Sequence, residues 1–317
     1  MKQNRFATFT WVVLAYTVAV ILWGAYVRAT GSGAGCGSHW PLCDGQVIPR
    51  TEQIETAIEF THRLMSGLLG LLVLGMFVWS FRAHPKGHVV RRGAALSLVF
   101  VITEGLIGAG LVLFELVAYN DSVARTISIA AHLINTFLLL AFLTLTAWWA
   151  NNGRPIRLKG QESAGWLLGI GFLGMLVLGA SGAVTALGDT LFPAGSLAEG
   201  IRQDFSPTAH FLIRLRLWHP LLGIVLGLYL IWASTLVSAM RPSPHTIGFS
   251  RALKVLFIIQ LAVGALNVYL LAPVWIQLVH LLLADAVWIA LILLSATALA
   301  EEVPEAERTR LATQATD

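Results

Sequence analysis

Eight apolar runs, each close to the length of a bilayer crossing, constrain this chain more than any other feature. They cover about residues 8–28, 57–81, 93–114, 126–149, 164–186, 211–238, 253–272 and 274–299. A helix needs roughly 20 apolar residues to cross the hydrocarbon. Backbone polar groups find no water there, so helices that bond internally are the natural solution. The expected fold is an all-α integral membrane protein with eight transmembrane helices. Composition agrees, because 56% of the residues are hydrophobic and only 12% charged, against about 25% charged in a soluble domain. The net charge of +4 is no nucleic-acid signal, since most Lys and Arg lie in short connections. The solvating partner is membrane lipid. The first run is too long for a signal-peptide core and no small-residue cleavage site follows, so it reads as a retained span. Pro273 marks the turn between the last two runs.

Basic residues orient the bundle. Arg82, Lys86, Arg91 and Arg92 lie in loop 82–92, and Arg154, Arg157 and Lys159 in loop 150–163. Arg241, Arg251 and Lys254 fall in 240–254, and Lys2 and Arg5 precede the first run. All share one side, which the positive-inside rule makes cytoplasmic. Both termini are then cytoplasmic, and loops 29–56 and 187–210 face outward. Residues 301–317 mix Glu and Arg without apolar pattern and read as a mobile cytoplasmic tail.

The chain repeats itself weakly. Gly24-Ala25-Tyr26-Val27-Arg28-Ala29-Thr30-Gly31 closes the first run, and Gly179-Ala180-Ser181-Gly182-Ala183-Val184-Thr185 closes the fifth. His62-Arg63-Leu64-Met65-Ser66-Gly67-Leu68-Leu69-Gly70 matches His219-Pro220-Leu221-Leu222-Gly223-Ile224-Val225-Leu226-Gly227. Glu104 in the third run has Gln260 as its counterpart in the seventh. A four-span repeat preserves topology, so the halves are related about the membrane normal. The expectation is two pseudo-symmetric four-helix bundles, residues 1–150 and 164–300.

Four histidines occupy matching places in this repeat: His62 and His132, then His219 and His280. Ionisable groups inside a span are costly and usually functional. Each histidine lies about six residues into its run, or roughly 9 Å below the boundary. Paired imidazoles at one depth suit a planar iron cofactor gripped from both faces, with heme the natural candidate. The bland alternative is four core histidines bonded to neighbouring helices. Zinc or copper fits less well, because neither half offers compact further ligands.

The halves differ around these pairs. Glu59 lies three residues before His62 on the same helix face, where the second half has Arg216. A carboxylate there could shuttle protons or simply sit well at a helix start. Arg214 and Arg216 could serve heme propionates. Arg28 could snorkel to the interface, or neutralise Glu59 or a propionate. Asn135 and Asp285 read as polar glue between helices. The asymmetry suggests a reactive first half and an electron-transfer or structural second half. The only cysteines, Cys36 and Cys43, lie in the first outer loop, where an oxidising compartment permits a disulfide. It would be a structural staple worth roughly 2–3 kcal/mol, or a redox-active pair.

Taken together, Val27-Arg28-Ala29-Thr30-Gly31-Ser32-Gly33, Cys36, Trp40-Pro41-Leu42-Cys43, Glu59-Phe60-Thr61-His62-Arg63, His132, His219 and His280 resemble heme A synthase over nearly the whole chain. The resemblance implies oxidation of the ring D methyl group of heme O to a formyl group by successive hydroxylations. It implies that His62 and His132 hold the heme O substrate and that His219 and His280 ligate a heme b cofactor. Glu59 would be a catalytic carboxylate, and Cys36 with Cys43 the outer-loop pair. Heme O synthase would supply the substrate, a heme-copper oxidase would receive the product, and the location would be a bacterial plasma membrane. Loop 187–210 lacks the second cysteine pair of some bacterial members. Competing readings are a b-type cytochrome electron-transfer subunit, a parallel-repeat transporter and a structural oxidase-assembly subunit.

Overall fold

The computed structural model describes residues 5–50, 52–157 and 159–300. Lys2 and the expected tail 301–317 lie outside the described residues. Within them the protein is helical: α1 (Arg5–Ala29), α2 (Ile54–Ala83), α3 (Val89–Leu113), α4 (Val123–Ala150), α5 (Glu162–Leu191), α6 (Leu197–Asp204), α7 (Phe211–Arg216), α8 (Trp218–Met240), α9 (Pro244–Tyr269) and α10 (Val274–Ala298). Eight units are long and apolar enough to cross a membrane, with α7 and α8 counted as one. This is a multi-pass membrane protein.

Polar caps carry the helices beyond their apolar runs. Ser122 Oγ accepts from Arg125 N at 3.2 Å at the start of α4. α9 departs furthest from expectation, beginning at Pro244 rather than near 253. Ser243 Oγ accepts from Thr246 N at 3.0 Å, and a proline at the first helical position sacrifices no helical bond. Arg251 and Lys254 therefore ride on helix rather than loop. The sixth span is broken at Leu217, between α7 and α8. Pro220 supplies the reason, since it has no N–H to donate to the carbonyl four residues back. The outer loop before it also carries the short helix α6.

The first four long helices close a square in which each packs on the next and α4 returns to α1. α5, α8, α9 and α10 close a second square in the same order. The halves meet along α1, α4, α5 and α10. α4 and α10 are the most enclosed spans and α9 the least, so the outer helices expose their leucines and valines where lipid belongs.

Trp288 on α10 is the centre of the seam. Its side chain is wholly buried, and Nε1 donates to the Phe137 carbonyl of α4 at 2.7 Å. Its ring stacks on Phe137 at 5.0 Å and tilts against Phe172 of α5 at 4.9 Å. Gly179 makes room for the Phe137 ring, because a Cβ there would come within 2.8 Å of it. Asn135 is interhelical glue as expected, taking Thr103 Oγ1 at 2.6 Å and donating to Phe100 O at 2.9 Å. Asp285 is not, since both its carboxyl oxygens are buried without a hydrogen-bond partner. Trp288→Ala should destabilise the protein by about 3–5 kcal/mol, and Trp288→Phe by less, measured as loss of thermal or denaturant stability in micelles.

Candidate functional site

A glycine on the neighbouring helix seats each intramembrane histidine. A Cβ built on Gly24 of α1 would stand 2.9 Å from His62 Cε1 on α2. One on Gly182 of α5 would stand 2.9 Å from His219 Cε1 on α8, and one on Gly264 of α9 would stand 3.0 Å from His280 Cε1 on α10. Gly108 of α3 faces His132 of α4 more loosely, at 4.0 Å. The repeat is thus in register at Gly24 and Gly182, three residues along from the match that the run ends suggest. In each square the histidine helices stand at opposite corners and the glycine helices at the other two. Every histidine lies about two turns in from the end that carries the Cys36–Cys43 loop, counting His219 from the start of α7.

The second pair comes together closely. The rings of His219 and His280 lie 6.2 Å apart, centre to centre, with planes at 84°. Two imidazoles each about 2 Å from a shared metal place their centres roughly 6 Å apart, so this spacing fits an axial pair about one iron. His219 Nδ1 meets Ser181 Oγ at 3.0 Å. His280 meets Gln260 Nε2 at 3.3 Å through Nε2, while its Nδ1 is buried without a partner. Ligating histidines are oriented in this way by a bond at one ring nitrogen. In the first half His62 lies within electrostatic range of His132, and His62 Nδ1 is buried and unpartnered. His132 Nδ1 is 3.4 Å from Glu104 Oε1, but poorly aligned for a hydrogen bond. Glu104 accepts instead from Asn135 Nδ2 at 2.5 Å and from Thr136 Oγ1. Unpartnered ring nitrogens in both halves call for a partner that the neighbouring helices do not supply. The residues present could therefore hold a heme in each half.

Glu59 is 3% exposed, and both of its oxygens are engaged. Oε1 accepts from Arg63 Nη2 at 2.6 Å and Nε at 3.1 Å. Oε2 accepts from the Cys36 backbone N–H at 2.8 Å. Arg63 Nη1 also donates to His39 O and Leu42 O, both at 2.7 Å. Thr56 Oγ1 adds a bond to Gly35 O at 2.6 Å. Cys36 and Cys43 are joined by a disulfide. The loop is thus strapped to α2 one turn from His62, while Trp40 stays 44% exposed.

The cation of Glu59 is Arg63, not Arg28. Arg28 reaches across the seam to Ala186 O and Thr190 Oγ1 of α5, both at 2.6 Å, and to Gln277 Oε1 of α10 at 2.8 Å. Arg216 is buried and spends its donors on Asp204 at 2.5 Å and Asp189 at 3.4 Å. Those two carboxylates already neutralise it, which leaves it poorly suited to propionates. Arg214 is exposed. Sequence reasoning passed over Arg125, which lies only 3% exposed near the start of α4. Its signal was a lone arginine at the head of an apolar run.

Residues 7–292 match the family model COX15-CtaA, cytochrome oxidase assembly protein. The chain belongs to this family. A Thermus thermophilus protein named protoheme IX farnesyltransferase is 54% identical over 296 residues, covering 93% of this chain and 49% of that protein. A heme A synthase of Halalkalibacterium halodurans is 38% identical over 153 residues, covering 48% of this chain and 50% of that protein. One from Exiguobacterium is 31% identical over 189 residues, covering 59% and 60%. The chain spans about half the length of the curated relatives it matches.

Two outcomes follow from this geometry. Gly24→Ala, Gly182→Ala and Gly264→Ala should each overpack a histidine seat and cost about 1–3 kcal/mol. Gly108→Ala, with ordinary contact distance available, should be neutral or gain up to about 1 kcal/mol of helix propensity; thermal unfolding of the detergent-purified variants checks the contrast. Arg63→Ala should free the disulfide loop, seen as faster alkylation of Cys36 and Cys43 under mild reductant.

Proposed function

We propose that this protein is a heme A synthase, oxidising the ring D methyl group of heme O to a formyl group by successive hydroxylations. The observation that carries the reading is the repeated diagonal histidine pair, with the second pair spaced 6.2 Å apart. Family membership and relatives named heme A synthase support it. On this reading residues 1–150 are the substrate half and residues 164–300 the cofactor half. His62 and His132 hold heme O, and His219 and His280 are the axial ligands of heme b. The bound heme b supplies one-electron redox chemistry.

The chain's own residues divide the remaining work. Gly24, Gly182 and Gly264 fix the imidazoles, and Ser181 and Gln260 orient them. Glu59, one turn from His62, is the carboxylate assigned to proton handling at the hydroxylated methyl carbon. Arg63 keeps it in place, and the Cys36–Cys43 loop covers it. On this reading the substrate sits among the four apolar helices of the first square, α1 to α4.

The name of the Thermus relative belongs to a protein twice as long. Heme O synthase is proposed instead as the upstream partner and a heme-copper oxidase as the recipient. The proposed setting is a bacterial plasma membrane with both termini cytoplasmic.

Pigment extraction from the protein co-expressed with a heme O synthase decides the matter. Heme A or hydroxylated heme O in the extract is the expected result. Two heme b groups alone would establish the b-type cytochrome, and a colourless protein would point to transport. Glu59→Gln should lower heme A yield by at least about tenfold while the low-spin optical spectrum persists.

A further inference from the structure

We propose that Arg125 is the socket for the porphyrin carboxylates of the first-half ligand. This rests on the reading of that half as a heme-binding pocket. Arg125 precedes His132 by seven residues on α4, which puts the two side chains on one helix face, two turns apart. Arg28 follows Gly24 by four residues on α1, one turn from the seat of His62. Both arginines therefore lie on the disulfide-loop side of the histidine level. A vertical porphyrin clamped at that level presents its carboxylate edge to one end of the bundle or the other. The cations mark which.

Arg125 has no carboxylate partner among the described residues. Arg125 Nη1 donates to Ala118 O at 2.5 Å and Asn120 O at 2.6 Å, which fixes the guanidinium against the turn after α3. Its Nε is buried with no hydrogen-bond partner. Among the described residues no carboxylate stands within ion-pair distance of Arg125 or Arg28. Arg28 lies within electrostatic range of Asp189 and of the Arg125 guanidinium. The nearest acids are committed elsewhere. Asp189 and Asp204 pair with Arg216, and Asp121 faces His210 at 3.6 Å. Arg28 uses three donors and Arg125 two of the five a guanidinium carries, so donors remain on both.

A buried guanidinium without an anion is expensive, and a carboxylate offers the planar acceptor pair that matches its fork. A phospholipid phosphate is the other anion at this depth. Arg125 is 3% exposed, which leaves little of it to a headgroup in the surrounding leaflet. Among the described residues the buried arginine of the second half, Arg216, already has two carboxylates. The socket thus distinguishes the substrate half from the cofactor half.

The test uses the full-length chain purified from heme-limited cells, in a His280→Ala background so that the first pair is read alone. Hemin and hemin dimethyl ester, identical but for the free carboxylates, are titrated by their absorbance. The background chain should bind hemin about tenfold or more tighter than the ester. Arg125→Gln should erase that preference by weakening hemin alone, and Arg125→Lys should restore part of it. Equal binding of hemin and ester by the background chain overturns the socket, as does a preference that survives Arg125→Gln. The comparison on the background chain stands even if Arg125→Gln misfolds. Loss of the preference in vesicles containing phosphatidylglycerol, but not in pure phosphatidylcholine, assigns the socket to lipid and overturns the proposal. Failure of both compounds to bind overturns the heme reading itself, together with the socket.

Discussion

The contact between an imidazole and a glycine on the next helix is what the rest of this structure depends on. An imidazole in an apolar bundle must be placed without the help of water, and few polar neighbours are available to place it. Here the helix backbones come close enough that three of the four rings occupy space a methyl group would need. Backbone separation, not hydrogen bonding, sets their positions. Polar partners such as Ser181 and Gln260 then choose the ring orientation. Because the squares put histidines and glycines at alternate corners, this arrangement works twice with one topology.

Much of this was legible in the sequence. Run length gave the spans, since a bilayer leaves little freedom in how an apolar segment is used. The repeat told which histidines share a half, and the 6.2 Å spacing of His219 and His280 agrees. Other features were hidden for physical reasons. A glycine seat is a property of two helices, so Gly24 and Gly182 looked like ordinary small residues. Helix ends were misjudged at α9 because capping by Ser243 and Pro244 extends a helix that hydropathy alone starts later. The break at Leu217 was available from Pro220, but its effect falls upstream of the proline itself. Arg28 could be placed at a helix end, yet nothing in the sequence said its side chain crosses to the other half. Asp285 looks like interhelical glue in the sequence, yet neither of its carboxyl oxygens has a hydrogen-bond partner.

Glu59 shows how one side chain serves two levels of structure. Its oxygens bind Arg63 of the same helix and the Cys36 backbone of the loop. Arg63 in turn holds two loop carbonyls. The carboxylate beside His62 is therefore also the fastening of the loop. Charge at this position fixes local conformation as well as local chemistry, and any substitution there must be read for both.

The crossing of Arg28 has a mechanical consequence. At one end it ties α1 to α5 and α10, and deeper in the seam Trp288 ties α10 to α4. Sliding the halves past each other would strip a buried guanidinium of its acceptors and unstack an aromatic pair at once. The four central helices thus behave as a fixed stator. Whatever breathing admits a bulky greasy molecule belongs to the outer walls of the two squares, where only side chains and lipid tails need to part.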